Sequence, residues 1–432
     1  MKNNIYFLSL IITFNLFSQE QTKDTIQGTK QILDEVVVQS IRVKYSSPIS
    51  HSNISKAELS SRNLGQDLPI LLSFLPSVVT TSDAGAGVGY TGIRIRGVSA
   101  QSTNITINGI PFNDPESHGT YWVNLPDFTS SIESLQVQRG VGTSTNGSGA
   151  FGASINILTN AISENAYTEI SNSAGSYNTI KHTIKFSTGK LNNAFELSGR
   201  LSKIDSDGYI DRAFSDLKSY FLQGSYNQGN TFIKALVFGG HEKTYQSWYG
   251  VSKEQILENR RQNPYTYENE IDNYKQDHYQ FHWNEKLNQK WSTNVGLNYT
   301  YGRGYFEQFK NNDSVETYGG IVESDMDENG VKSGTTDLIR RRWLDNDFYV
   351  LNASSNYQNS KLNMTFSSSY STYNGDHFGE VIWARQFGEN NSIRDRYYQG
   401  NGKKTDFSLF VKASYFLNKK LELYGDLQLR NV

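Results

Sequence analysis

The sequence predicts an all-β protein whose larger part is an antiparallel barrel that crosses a membrane, preceded by a small α/β domain. Three observations lead to this class. The composition, with 13% aromatic residues, 36 Gly and only 7 Pro in 432 residues, favours strands and turns. From about residue 167 onward, apolar and polar residues alternate in one segment after another. The connections between these segments alternate between short and long, which is typical of outer-membrane barrels.

The segment from Trp291 to Tyr301 shows the alternation most clearly. One face has Val295 and Leu297 at its centre and aromatic residues at its ends, and the other face is polar. This pattern is typical of a strand with one face in lipid and the other in water. A soluble β-sandwich also alternates, so one strand does not separate the two classes. The barrel predicts lipid contact for Leu297 and Leu409 and water contact for Asn298 and Ser408.

The connections decide between the two classes. Long polar loops are unusual in a compact soluble domain, whereas short turns at one end and long loops at the other are typical of a transmembrane barrel. Tight turns are predicted at 190–193, 227–230, 287–289, 359–360 and 418–419, and long loops at 243–273, 302–342 and 374–404.

Residues 161–432 hold about eleven such strands, whereas bacterial single-chain barrels have an even number. An open sheet in lipid would leave backbone groups at its edges without partners. The sequence also ends at Val432 without the aromatic residue with which such barrels usually end. We therefore expect a truncated or incomplete record of a longer barrel.

The N-terminus predicts the compartment. Lys2 precedes the apolar run Ile5 to Phe17, which is followed by the small residue Ser18, so residues 1–18 are predicted to be a secretory signal peptide. The alternative is a hydrophobic first helix of a cytosolic protein. No later apolar run reaches the roughly 18 residues that a membrane-crossing helix needs. The absence of Cys excludes disulfides and thiolate sites, and the net charge of −2 gives no nucleic-acid footprint.

Residues 47–160 are predicted to form the α/β domain. Ser55 and Glu58 have the spacing of a capping box and predict a short helix. A second helix is predicted from Asp67 to Phe74, ending before Pro76. Asn108-Gly109 between apolar residues is a strong signal for a tight hairpin turn.

Several pieces of this region, in their order and spacing, resemble the plug domain of TonB-dependent outer-membrane receptors. They are Arg94 to Gly97, Asn108 to Pro111, Ile132 to Gly140 and Gly149 to Ile157. One departure is Ala153-Ser154, where many members have Gly-Val or a second Gly. The resemblance implies a plug inside the lumen of a barrel of about 22 strands, even in number. The plug-motif residues it identifies are Arg94, Arg96, Gly97, Asn108, Gly109, Arg139, Gly140 and Gly152.

Residues 19–46 are predicted to be a flexible polar segment that contains a short β-prone run. Asp34, Glu35, Val36, Val37 and Val38 resemble the TonB box, which these receptors offer to the periplasmic TonB protein as an added strand. The alternative is an ordinary first strand of the plug.

The resemblance implies TonB-dependent import of a scarce large solute across the outer membrane of a Gram-negative cell. The expected solute is a ferric siderophore or another iron chelate, and the expected partners are TonB with its inner-membrane energising complex and outer-membrane lipid. Cobalamin or another metal complex is the alternative solute. A non-transporting surface receptor or adhesin is the rival function. No enzyme activity and no cofactor are expected, and a soluble carbohydrate-active enzyme lacks an evident carboxylate pair.

Arginines and aromatic residues of the long loops and the plug apex are candidate ligand-binding residues, because they suit an anionic ferric chelate. The alternatives are a solvated vestibule wall or contact with lipopolysaccharide phosphates. The candidates are His118, Tyr121, Trp122, Trp248, Tyr249, Arg340, Arg341 and Arg342.

Three further motifs give weaker predictions. Gly87 to Gly92 matches a dinucleotide-binding pattern, but the strand-like sequence after it favours a mobile apex loop. Asp325, Asp327 and Asn329 resemble the first half of a calcium loop, although Thr336 stands where a bidentate Glu belongs. His278 and His282 share one strand face, without zinc-ligand spacing, and are expected on a wet lumen wall.

Overall fold

The computed structural model describes residues 42–43, 49–141, 151–326, 328–418 and 420–432. The predicted signal peptide and TonB box lie outside these residues, and so does Asp327. No helix of the described part is long and apolar enough to cross a membrane.

The described residues up to Asn160 form a small α/β domain. One sheet has the order β1-β6-β7-β4-β5, in which β4 and β7 are parallel and the other neighbours antiparallel, and β2 pairs with β3. The strands are β1 (His51–Ser55), β2 (Val78–Ser82), β3 (Thr91–Ile95), β4 (Thr103–Ile107), β5 (Ile110–Pro111), β6 (Ile132–Arg139) and β7 (Ala153–Thr159), and the helices are α1 (Lys56–Ser60) and α2 (Leu68–Leu71). Short 3-10 turns lie at Ala100–Ser102, Trp122–Asn124 and Phe128–Ser131.

Local sequence signals explain how these elements begin and turn. Ser55 and Glu58 form the predicted capping box at the start of α1. Asn108 and Gly109 have φ angles of 53° and 83°, as a type I′ turn requires, so the predicted hairpin is confirmed. The second helix is shorter than predicted. After Leu71 the chain continues with tighter i to i+3 hydrogen bonds towards Pro76.

The described residues after Asn160 form one antiparallel sheet of eleven strands in sequence order, which agrees with the predicted count. Its first and last strands each pair with one neighbour among the described residues. The strands are β8 (Ala166–Ala174), β9 (Ile180–Thr188), β10 (Phe195–Ser206), β11 (Ser215–Gln228), β12 (Thr231–Tyr245), β13 (Ile271–Lys286), β14 (Trp291–Ser314), β15 (Thr335–Gln358), β16 (Leu362–Ala384), β17 (Arg396–Asn418) and β18 (Leu421–Asn431); α3 (Lys253–Glu258) and a 3-10 turn at Val315–Tyr318 lie in connections.

The outward face of this sheet is as predicted, but the inner face is not. Leu297 and Leu409 are on the outward face, 46% and 43% exposed. The inner face is dry rather than wet in its centre, because the α/β domain packs against it. Asn298 is only 6% exposed, and His278 and His282 are buried. The expectation of a water-lined wall at these three positions is therefore wrong.

The predicted long loops are partly strands. The pairing of β14 with β15 continues from the membrane segment up to Ser314 and Thr335, and β16 with β17 continues similarly. These strands of 23 or 24 residues are much longer than the roughly 9 to 11 residues that cross a bilayer. Their upper parts mix apolar and polar residues on both faces, so alternation alone did not reveal them.

A buried ionic cluster joins the α/β domain to the sheet. Asp127 is fully buried, and its carboxylate lies 2.8 Å from Lys181 Nζ of β9 and 3.7 Å from an Arg200 nitrogen of β10. The hydroxyls of Thr183 and Ser202 donate to the same carboxylate at 2.7 and 2.6 Å. Burial pushes the pKa of Asp127 up, but the positive charges of Arg200 and Lys181 outweigh burial and hold that pKa below its usual range.

Candidate functional site

A cavity of about 420 Å³ lies between the α/β domain and the inner face of the sheet. It is near the ends of β12 and β13 that the long connection between them joins, and beside the middle of β14. The α/β domain contributes its apex, including Pro111 to Pro115, Tyr90 and Tyr121, and the wall contributes residues from β12 to β16.

The walls of the cavity are rich in aromatic residues. Trp248, in the β12–β13 connection, packs edge-to-face against Tyr90 of the apex and Phe306 of β14, with ring centroids 5.4 and 5.6 Å apart. Tyr274 and Tyr373 also line the cavity. A side chain at Gly302 would overlap the Tyr274 hydroxyl, so glycine at that position lets the Tyr274 ring lie against β14.

Two buried carboxylates lie on one side of the cavity. The hydroxyl of Tyr90 donates to Asp272 and, at 3.3 Å, to Glu242. Thr244 donates to Glu242 at 2.8 Å. Neither carboxylate forms an ion pair with a basic side chain in the part of the chain that the structure describes. Burial raises the pKa of Tyr90 well above its usual range, and the nearby Asp272 and Glu242 add to this rise, so Tyr90 stays a hydrogen-bond donor.

Two amide oxygens in the cavity lining have no partner. Asn124 is 7% exposed, and its Oδ1 accepts no hydrogen bond from any described residue. Asn346 uses its Nδ2 to contact the Tyr274 hydroxyl at 3.3 Å, while its Oδ1 is likewise buried without a donor. Both oxygens are therefore buried in the wall behind the cavity surface, without a donor among the described residues.

The structure places three of the predicted ligand residues in this cavity: Tyr121, Trp248 and Arg342. Trp122 lies in the core of the α/β domain at 4% exposure, packed against Phe112. Tyr249 stacks on Tyr265 outside the cavity lining. His118 lies near Lys404 of β17, at 3.4 Å.

The three consecutive arginines do not form one cluster, because successive strand residues point to opposite faces. Arg341 pairs with Glu307 at 2.8 Å and lies over the Tyr305 ring on the outward face. Arg340 donates to Tyr318 and Gln308. Arg342 reaches the cavity edge, where it stacks over Phe306 and donates to the Tyr398 hydroxyl.

The candidate calcium loop has a protein cation near its first carboxylate. Asp325 accepts from the Thr336 hydroxyl at 2.9 Å and lies 3.4 Å from Arg385 Nε. No group of three or more metal-ligating acidic or His side chains occurs among the described residues. Because Asp327 lies outside them, the calcium site stays a prediction.

The predicted plug-motif residues have structural contacts. Arg139 donates to the Pro76 carbonyl and the Ser52 hydroxyl. Asn108 donates to Gln280 of the wall at 3.2 Å. Arg96, Gly97 and Gly140 have positive φ angles. Arg94 lies in β3, and a side chain at Gly152 would overlap Val98.

The glycine-rich stretch from Gly87 to Gly92 is packed rather than a free apex loop. Val88 is 1% exposed and packs with Val123, Ile204 and Leu217, which belong to the α/β domain, β10 and β11. Sequence reasoning therefore missed Tyr90 as a cavity residue. It also missed Glu242, Asp272 and Asn124, and the only available signal was that acidic residues stand at polar positions of predicted strands near a long connection.

Known proteins match both parts of this architecture. Residues 43–154 match the family described as TonB-dependent Receptor Plug Domain. The probable TonB-dependent siderophore receptor PirA of Acinetobacter baumannii is 24% identical over 221 residues, which are 49% of this chain and 27% of PirA.

Solved structures share the fold. The ferric yersiniabactin uptake receptor FyuA from Yersinia pestis has a TM-score of 0.64 at 13% identity, covering 89% of this chain and 57% of FyuA. The ferric-catecholate import receptor Fiu from E. coli K12 has a TM-score of 0.65 at 13% identity, covering 89% of this chain and 56% of Fiu. The copper transporter OprC has a TM-score of 0.67 at 14% identity, covering 90% of this chain and 56% of OprC. This chain thus spans little more than half the length of these structures.

The α/β domain is therefore a plug domain, and the eleven-stranded sheet is part of a transmembrane β-barrel. Residues 43–154 thus match the plug-domain family of TonB-dependent receptors, and the chain as a whole shares the fold of solved receptors of this kind. This family consists of transport receptors rather than enzymes.

Proposed function

We propose that this receptor imports a metal chelate across the outer membrane, with a ferric siderophore or another iron chelate as the solute. The observation on which the proposal depends is the cavity between the plug apex and the barrel wall, on the side where the long hairpins emerge. A solute bound there contacts the plug and the wall at once, so its binding can be coupled to the position of the plug.

The names of the relatives support this solute class. PirA is described as a probable siderophore receptor, and FyuA and Fiu as receptors for ferric chelates. OprC is described as a copper transporter, so a chelate or complex of another metal is the second candidate. Cobalamin uptake and a non-transporting surface receptor or adhesin are further alternatives.

Contacts next to the proposed TonB box support a mechanical role for the N-terminal segment. Arg42 donates to the Ser134 carbonyl of β6 at 2.9 Å and to the Asn156 carbonyl of β7 at 3.0 Å. Val43 exchanges two hydrogen bonds with the Gln136 side chain. A pull by TonB on Asp34 to Val38 would therefore act within a few residues on the central strands of the plug sheet.

The test is iron uptake by intact cells. A strain that lacks the gene should fail to grow on at least one ferric chelate as the sole iron source and should not take up the ⁵⁵Fe-labelled chelate, and the full-length gene should restore both. A protonophore should stop uptake but leave binding of the chelate to the cells intact. Parental uptake of every chelate by the deletion strain would contradict import, and binding that never leads to uptake would favour the non-transporting receptor.

A further inference from the structure

Five basic residues lie side by side on the outward face of the sheet, on the five neighbouring strands from β10 to β14. In the strand pairing each is directly opposite the next. This basic row consists of Lys203, Lys218, His241, Lys275 and Arg303. Like charges directly opposite each other destabilise a sheet, so an anionic partner outside the sheet would stabilise this part of the wall.

The basic row continues the lipid-facing band of the same strands. A tyrosine row, formed by Tyr279, Tyr299 and Tyr349, stacks across β13, β14 and β15 with ring centroids 5.8 and 4.8 Å apart. Lys275 and Arg303 lie four residues from this tyrosine row, towards the long connections, and the even spacing keeps them on the same face. Outward-facing aromatic residues mark the membrane–water boundary of a barrel. The basic row therefore lies just outside the apolar band.

The distance between the two rows fits the headgroups of the lipid. Four residues of a strand tilted by about 40° rise roughly 10 Å along the membrane normal. The long, flexible side chains of Lys and Arg bring their charges back towards the membrane surface. In a barrel of this kind the end with the long connections is the external one. The basic row is therefore level with the headgroups of the external leaflet.

Carboxylates beside the basic row do not use all of its hydrogen-bond donors. The ion pairs are Lys203 with Asp205 and Asp216, Lys275 with Asp277, and Arg303 with Asp345. The side chains of Lys275 and Arg303 are nevertheless 59% and 50% exposed. An ammonium has three N–H donors and a guanidinium has five, so both keep donors for a further acceptor. Lys218 is exposed and forms no ion pair with any described residue.

We propose that the basic row binds the phosphate groups of lipid headgroups in the external leaflet of the outer membrane. Lys and Arg bind phosphate through charge-assisted hydrogen bonds. Lipid is the occupant because the row is continuous with the lipid-facing band and its charge is complementary to an anionic headgroup. The proposal goes beyond import, since it concerns the lipid around the barrel and takes only the outer-membrane location from the proposed function.

The test measures lipid binding to the full-length receptor, purified in a non-ionic detergent, by native mass spectrometry. The probe is diphosphorylated lipid A, and the matched probe is the same lipid after removal of its phosphates. The phosphorylated form is expected to bind at least about tenfold more tightly, at about fivefold for each basic residue that meets a phosphate. Its binding should weaken as the salt concentration rises. Inorganic phosphate at the concentration of the lipid should not displace it.

The double variant Lys218→Gln with Lys275→Gln should weaken binding of the phosphorylated lipid roughly twentyfold. Lys286→Gln with Lys361→Gln is the matched control, because it makes the same change of charge at exposed residues beside the short turns. The control should bind the lipid as the parent does. Chelate uptake does not enter this measurement, so its outcome is independent of the import proposal.

Asp345→Asn removes the carboxylate that pairs with Arg303 and should tighten binding of the phosphorylated lipid, a gain that misfolding does not produce. Four results would each overturn the proposal: equal binding of the two forms of lipid A, displacement of the lipid by inorganic phosphate, a loss in Lys218→Gln with Lys275→Gln no larger than that in the control, or unchanged affinity in Asp345→Asn.

Discussion

Removal of the Asp127 carboxylate should loosen the plug inside the barrel. In Asp127→Ala, Lys181 and Arg200 stay buried without their counter-charge, since the side chains of both are 2% exposed. Breaking a buried ion pair from one side costs about 3–5 kcal/mol. The carboxylate also accepts from Thr183 and Ser202, so the upper part of this range is expected. Because folding lowers the pKa of Asp127, the contribution of its carboxylate to the stability of the folded state is fully present above a pH of about 4. This contribution is lost only at lower pH.

Plug unfolding can be followed by labelling a single thiol across a urea titration of the full-length receptor. Ser154→Cys suits this purpose, because Ser154 is fully buried, its hydroxyl has no partner among the described residues, and this chain contains no Cys. Glu133→Gln is the matched control, because its pair with Lys56 is exposed and should contribute at most about 1 kcal/mol. The double variant Asp127→Ala with Lys181→Met should recover part of the stability that Asp127→Ala alone loses. If the urea midpoint of Asp127→Ala equalled that of Glu133→Gln, the reasoning would be refuted.

Two further predictions concern the plug and the lipid face. Burial raises the pKa of Asp67 to about 8, so the folded plug holds a proton that the unfolded chain loses near pH 4. The free energy of unfolding of the plug should therefore fall as pH rises between about 4 and 8, by at most about 1.4 kcal/mol per pH unit. Asp67→Asn should remove this slope in the same titration, and an unchanged slope would exclude Asp67 as its source. Leu409→Arg should impair folding by about 2–4 kcal/mol, and Ser408→Arg by much less. Heat-dependent gel mobility measures the folded fraction, and equal loss in both variants would contradict the assigned faces.

Local and periodic features of this chain could be predicted from the sequence. The capping box at Ser55 and the turn at Asn108-Gly109 depend on residues that adjoin each other in the chain. The alternation around Leu297 follows from the two-residue period of a strand, so it gave both the strand count and the outward face. The lengths of β14 to β17 escaped prediction, because strands that continue into water need no apolar face.

The cavity could not be predicted, because its parts come together only through register and domain packing. Glu242 and Asp272 are brought together by the pairing of β12 with β13, in which Glu242 lies opposite Tyr274 and Asp272 opposite Thr244. The third partner, Tyr90, belongs to the plug. The burial of His278 likewise depends on Phe112 of the plug, whose ring centroid lies 5.6 Å from that of the imidazole. The period of a strand also separates Arg341 from Arg340 and Arg342, which appear as one cluster in the sequence.

The most direct measurement of TonB-dependent import compares binding and uptake of a labelled ferric chelate in a Val37→Pro variant of the full-length receptor. Proline removes a backbone donor from the strand that TonB is proposed to add. The substitution leaves every residue of the described cavity lining unchanged, so cells with the variant should bind the chelate as the parent does and take up none of it. Uptake by Val37→Pro at the parental rate would contradict the account.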